Sequence, residues 1–282
     1  MTLYQKTLVL LSCLVATSVT VPFAHATGDF EQDKDINIKI CVGEGNEHDC
    51  KGLERKARVH VPPLPKNEGP TKVPLVLNIH ALGSNYYLQQ MYSGFDDIAD
   101  REKIVVAYPN GFARARVGTP LSAPKPLYSF NAGGCCANAC DPEAPDVPKN
   151  EAPIDDIRFF KELVKYIQDE MSKEHNFVID PERIYATGMS NGGFMTNRVG
   201  CEMSDIVAAI VPVAGPLMNE AANTAKSLQN LFPWGSDPFV CNPGRPMPVL
   251  HFHSIDDPVV PFKGSKPFGF PSVEDSIEKW SG

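Results

Sequence analysis

From Val73 onward the chain alternates short, nearly continuous apolar runs with stretches of helical spacing, and this alternation narrows the fold more than any other feature. Pro74–His80 reads PLVLNIH, the pattern of a strand buried on both faces. Leu88, Met91, Phe95, Ile98 and Ala99 follow at helical spacing. Ile104–Tyr108 is a second buried strand, closed by the turn Pro109-Asn110-Gly111. A helix then opens at Asp155-Asp156, read as N-cap and dipole partner, with Phe160, Leu163, Val164, Ile167 and Met171 on one face. Arg183–Thr187 is a strand, Asn191–Met203 a helix, and Ile206–Val213 and Pro248–His253 are strands. Ser272–Trp280 begins a last helix with Val273, Ile277 and Trp280 inward. Repeated β-α-β units predict an α/β class protein with a mostly parallel sheet and helices on both faces. Ahead of them, Ile36–Val42 and Ala57–Val61 predict an antiparallel pair. No repeat and no linker divides residues 27–282, which read as one domain.

The first residues set the compartment. Lys6, the apolar run from Leu8 to Phe23 and Ala24-His25-Ala26 make a secretory signal peptide over residues 1–26. The run is too short and too interrupted for a membrane span, so a secreted protein, off the membrane after cleavage, is expected. Its net charge of −8, with no basic stripe, argues against a nucleic-acid partner. Without Cys13, the cysteines Cys41, Cys50, Cys135, Cys136, Cys140, Cys201 and Cys241 remain, an odd number that suggests a free thiol or a missing partner. None has zinc-site partners at a suitable spacing, so the cysteines read as structural, and no metal or cofactor is expected. Cys41 and Cys50 are close enough to staple a local loop; other pairings stay open.

Two long Pro/Gly-rich segments, Phe112–Pro153 and Pro216–Pro246, show no period and read as loops. Between them, Gly188-Met189-Ser190-Asn191-Gly192 fits G-x-S-x-G where a buried strand turns into a helix. Glycines at both ends permit a tight turn that lifts the Ser190 hydroxyl above the sheet, over the free N–H groups of a helix N-terminus. Ser190 is therefore the candidate nucleophile. Two backbone N–H groups must hold the oxyanion: that of Asn191 and one from Ala81 or Leu82, in the loop after the first parallel strand. His80, which opens that loop, reads as its structural anchor rather than a base. The acid belongs after a later strand, where Asp256 and Asp257 both stand before Pro258.

Four segments also carry a resemblance: PLVLNIHALGSN, SFNAGGCC followed by IDDIRFF, YATGMSNGGFMTNRVGCE, and HFHSIDDPVVPF. From Arg58 to Trp280 the chain resembles the secreted polyhydroxybutyrate depolymerase and feruloyl esterase group of α/β-hydrolases. The resemblance implies the α/β-hydrolase fold, Ser190 as nucleophile, and Asp257 rather than Asp256 as acid. It also implies that Phe130–Cys136, with Phe130, Asn131 and Gly133, lines the substrate cleft. Three residues depart from the group: Ala81 stands for a usual Gly, Phe130 for a usual Trp, and Ser254 for a usual Gly. All seven histidines (His25, His48, His60, His80, His175, His251 and His253) precede Asp257, whereas the fold's order is Ser, acid, His. The expectation is thus a fold with its last strand and His loop missing, and with them a Cys partner after Trp280. The implied activity is serine-dependent hydrolysis of polymeric esters, polyhydroxybutyrate-type polyester ahead of feruloylated or acetylated polysaccharide. A catalytically silent hydrolase-fold remnant or binding protein is the rival of another class.

Overall fold

The computed structural model describes residues 33–41, 52–65, 69–117, 125–134, 154–219 and 238–281. The signal peptide, Cys50, Cys135, Cys136 and Cys140 lie outside the described residues, as does the Cys41 side chain.

A six-stranded sheet runs in the order β1-β2-β4-β3-β7-β8, built from Asp33–Cys41, Gly52–His60, Val105–Pro109, Thr71–Ile79, Phe177–Met189 and Ala209–Val213 respectively. β1, β2 and β4 pair antiparallel, while β4, β3, β7 and β8 are parallel. Single parallel bridges, Ile210 to Val249 and Val213 to Phe252, continue the sheet where the sequence predicts its next strand. The register between β3 and β7 slips between Val73 and Leu75, where Pro74 has no N–H to give. A separate hairpin pairs β5 (Phe112–Val117) with β6 (Lys125–Ser129), inside a segment whose composition reads as loop. Pro and Gly mask its period.

Helices cover both faces, as predicted. α1 (Tyr86–Ser93) and α2 (Phe95–Glu102) pack on one side, where Ala99 meets Val106 and Tyr108. α3 (Asp156–Tyr166) and α4 (Asn191–Glu202) lie on the other side, over Leu75, Leu77, Ile79, Val105 and Ala107. Phe160, Leu163, Val164, Ile167 and Met171 are all buried there, each contributing about 1.5–3 kcal/mol of apolar transfer. Two helical stripes differ from their predicted faces. The first is split by Gly94, in the left-handed region at φ 57°, and buries Gln89 and Gln90 while Met91 is half exposed. In α5 (Val273–Ser281) Val273 is buried and Trp280 packs on the core as predicted, but Ile277 is exposed and Ser276 is turned inward, its hydroxyl accepting from Leu217 N. In both cases buried polar side chains answer backbone or side-chain groups that the apolar period cannot foretell.

Cys201, at the end of α4, is bonded to Cys241 across 40 residues of sequence, tying the 238–241 segment to the helix.

At the far edge, β1 and β2 meet α1 and α2 through a charge cluster. His60 Nδ1 lies 3.0 Å from Asp33 and Nε2 2.8 Å from Asp100, with Asp96 3.8 Å from Nδ1. Burial opposes the imidazolium, but the hydrogen bond to Asp33 and the charges of Asp96 and Asp100 outweigh it and push His60 up to about 9. A raised folded pKa means stability that is fully present below the unfolded value near 6.5 and lost as pH rises through 9. His60→Gln is therefore expected to cost about 2 kcal/mol in mildly acidic buffer, after allowance for screening at the partly exposed Asp96 and Asp100. Chemical-denaturation curves should show that gap shrinking as pH climbs past the folded value. A gap that stays constant with pH contradicts this reading of the cluster.

Candidate active site

The parallel strands bring the chemistry-bearing residues to one edge. Ile79 is level with Gly188, Met189 with Val213, and Val213 with Phe252. The loop after β3, the turn after β7 and the segment after the Val249–Phe252 bridges thus emerge together from the C-terminal ends of the strands. Ser190 N donates to Val213 O at 2.9 Å, and Ala214 N donates to Phe252 O at 2.8 Å. With adjacent strands about 4.8 Å apart, the backbones at Ser190 and Phe252 stand about 10 Å from each other.

Ser190 sits at φ 56°, ψ −117°, a strained conformation for a residue with a side chain, and Phe194 N donates to its carbonyl to begin α4. The turn closes this tightly because the glycines beside it carry no Cβ. A Cβ on Gly188 would stand 2.6 Å from Gly192 O, and one on Gly192 would stand 2.1 Å from Ile79 O. β7, α4 and β3 are therefore in backbone contact. The Ser190 side chain is left half-buried at the surface of the sheet edge.

In the loop after β3, Gly83 N donates to Tyr128 O and Ser84 N to Ala81 O. The N–H groups of Ala81 and Leu82 have no partner among the described residues, as expected of an oxyanion donor in this loop. The N–H of Asn191, first in α4, is likewise beyond the reach of intrahelical pairing. His80 is enclosed: Nε2 accepts from Gly111 N at 2.8 Å, and Nδ1–H donates to Ala81 O at 2.7 Å. Burial holds its pKa down at about 4, so the ring is neutral and its tautomer is set by these two bonds. That is the behaviour of an anchor.

Asp257 is half-buried, and its Oδ1 accepts from Val259 N and Val260 N at 2.8 and 2.9 Å, whereas Asp256 is exposed. Asp257 Oδ2 lies 3.7 Å from His253 Nε2. Both nitrogens of that ring are committed: Nε2–H donates to Val260 O at 2.7 Å and Nδ1 accepts from His251 Nε2 at 3.2 Å. The stacked His251 ring is kept neutral, burial and the neighbouring His253 lowering its pKa to about 4. The His253 ring is therefore not free to cycle a proton with Ser190, while His251 Nδ1 is buried with no partner among the described residues. The remaining described histidines, His60 and His175, flank the opposite ends of the parallel strands, beside Val106 and Phe177.

Phe130, Asn131 and Gly133 come beside the elbow, but not as side chains facing an open cleft. The Phe130 ring is fully buried, with His80 at 4.7 Å and Phe160 at 5.7 Å between ring centres. Asn131 is buried as well, and a Cβ on Gly133 would meet Met218 O at 2.6 Å. The reason is electrostatic and was not legible in the sequence: Asp156 is no mere dipole partner. Its Oδ1 accepts from Arg55 Nη2 at 2.5 Å and its Oδ2 from Asn131 N at 2.7 Å, all three groups buried. An Arg on a strand 101 residues away gives no local signal.

Among the described residues one group has metal-ligand chemistry, Asp33, His60 and Asp96, with ligand atoms within 4.8 Å of one another. Those atoms already face donors: Gln90 Nε2 donates to Asp33 and Asp96, and Tyr108 OH donates to Asp96. The three carboxylates around His60 favour its charged form.

Residues 160–268 match the model of the prolyl oligopeptidase family. The chain is 27% identical over 220 residues to feruloyl esterase B of Piromyces equi, covering 76% of this chain and 33% of that protein. It is 27% identical over 146 residues to poly(3-hydroxyalkanoate) depolymerase C of Paucimonas lemoignei, covering 52% of this chain and 28% of that one. It is also similar to the crystal structure of a thermostable esterase, with a TM-score of 0.47 and 20% identity over 90% of this chain and 53% of the other. The chain thus spans about a third of the length of each of these two curated relatives. Sheet order and the strained Ser190 turn have the α/β-hydrolase arrangement, and the sequence likenesses are to an esterase and a depolymerase over the shares given.

Proposed function

We propose that the protein is a secreted serine hydrolase of carboxylic esters and acts on polymeric esters. The observation that carries this reading is Ser190 on its strained turn, beside the loop after β3 whose Ala81 and Leu82 N–H groups have no partner among the described residues. In the mechanism, Ser190 Oγ loses its proton to a histidine base, a place that none of the described histidines is shown to fill, and attacks the ester carbonyl. The N–H groups of Asn191 and of Ala81 or Leu82 receive the developing oxyanion, the alcohol leaves with the proton, and water clears the acyl-enzyme by the reverse path. Asp257, with Oδ1 held by two backbone N–H groups and Oδ2 open, is suited to orient that histidine.

Polyhydroxybutyrate-type polyester is the substrate we place first, with feruloylated or acetylated plant polysaccharide as the second. The second is favoured by the longer match to a feruloyl esterase. Hydrolysis of p-nitrophenyl butyrate by the full-length protein tests the reaction class. Release of hydroxybutyrate oligomers from polymer films, against release of ferulate or acetate from arabinoxylan, separates the substrates. Silence toward every ester leaves a non-catalytic hydrolase fold as the answer, consistent with the committed ring of His253.

A further inference from the structure

The Asn191 side chain makes a double bridge to a neighbouring segment, accepting from Phe130 N through Oδ1 at 2.8 Å and donating to Phe130 O through Nδ2 at 3.0 Å. The amide is fully buried and pairs with the peptide as one strand pairs with another. Phe130 continues into Asn131, whose N–H is held by Asp156 Oδ2 and whose carbonyl accepts from Arg198 of α4 at 3.0 Å. Asp156 is in turn fixed by Arg55, which also donates to Asn110 O at 3.1 Å and lies over the Phe159 ring at 4.3 Å. Asn110 adjoins Gly111, the donor to His80, and the His80 ring touches that of Phe130. The network closes on itself around both sets of oxyanion donors.

Such a network is a poor way to gain stability. Side chains of Arg55 and Asp156 are about 99% and wholly buried, and Arg55 Nη1 has no partner among the described residues. A buried ion pair of this kind roughly breaks even against apolar packing. Its geometry does something packing cannot: it fixes two loops and a helix start relative to one another by directional bonds.

We infer that the Asn191 side chain, braced through Phe130 and Asn131 by the Arg55–Asp156 pair, is a positioning residue that sets the oxyanion N–H groups against Ser190. The inference rests on the esterase reading above. It assigns residue 191 two separate tasks, the backbone N–H to the oxyanion and the side chain to the alignment of the loop that supplies its counterpart.

Asn191→Asp tests it, because the new carboxylate still accepts from Phe130 N but, when ionised, cannot donate to Phe130 O. With p-nitrophenyl butyrate, kcat is expected to fall about tenfold or more while KM stays within about threefold, since oxyanion donors act mainly in the transition state. The ratio of variant to wild-type kcat should rise as the buffer is acidified, because a protonated Asp regains the donor. Asn191→Ser is the fallback if the Asp variant does not fold, with the same fall in kcat and no recovery in acid. Ile36→Ala, at the far edge of the sheet, controls for lost stability: a comparable drop in Tm should leave kcat unchanged. An active wild type whose Asn191 variants keep full kcat overturns the inference, and so does a loss of rate matched by Ile36→Ala. Failure of the esterase reading looks different, because the wild type itself is then silent.

Discussion

Ser190→Ala is expected to lower ester turnover by about 10⁴-fold or more and to leave the fold intact. A serine nucleophile acts with its base as a unit, so its removal forfeits nearly all covalent catalysis and leaves only what binding and the oxyanion donors give. The structural cost should be small for a specific reason. The turn is held by Ser190 N on Val213 O and by Phe194 N on Ser190 O, both backbone bonds that alanine retains. The strain at φ 56° is common to Ser and Ala, so it cancels in the comparison. Parallel measurements of p-nitrophenyl butyrate hydrolysis and Tm check both halves. A variant that keeps more than about 1% of the wild-type rate removes Ser190 from the nucleophile's place. A variant that loses rate and Tm together shows only that the elbow was damaged.

Gly192→Ala should be among the most destabilising single substitutions in the protein. The added Cβ would stand 2.1 Å from Ile79 O, 2.7 Å from Ile79 C and 2.8 Å from His80 O. These are backbone atoms of β3, a strand paired on both sides with β4 and β7, so no flexible side chain can swing away. Relief requires α4 to lift off the sheet, which opens contacts made by the buried Phe194 and Met195. Costs above about 4 kcal/mol belong to this kind of overpacking, and about 10 °C or more of Tm should go with them. Gly94→Ala is the informative comparison, since Gly94 has φ 57° but nothing within 4 Å of a new Cβ. Its penalty should be the conformational one alone, about 1–2 kcal/mol. If both glycines give the same small loss, the close contact of elbow and strand is not as described.

The residues that make the elbow were readable before the fold because their constraint is local. A strand period ends at Gly188, a helix period begins at Asn191, and Gly188 and Gly192 on either side of the serine are the residues that allow the turn. The same locality made the strands of the parallel sheet legible, since runs such as Leu75–Ile79 are apolar on both faces and have few alternatives. Phe112–Val117 and Lys125–Ser129 escaped because a two-stranded hairpin needs little apolar period and theirs is broken by Pro, Gly and Arg. The first helical stripe misled for a different reason. Gln89 and Gln90 are carried inward to answer Asn78, Asp33 and Asp96, partners on other elements.

Sequence by itself determined the order of the strands and helices of the main sheet and the turn at Ser190. Each follows from short-range periodicity and from backbone freedom at particular glycines. Tertiary structure alone decided that Asp156 is a buried counter-ion for Arg55, that Phe130 packs inward against His80, and that His253 spends both ring nitrogens on His251 and Val260. Those outcomes depend on which polar groups meet where water is excluded. There most hydrogen-bond donors find an acceptor, and the acceptor can stand a hundred residues away.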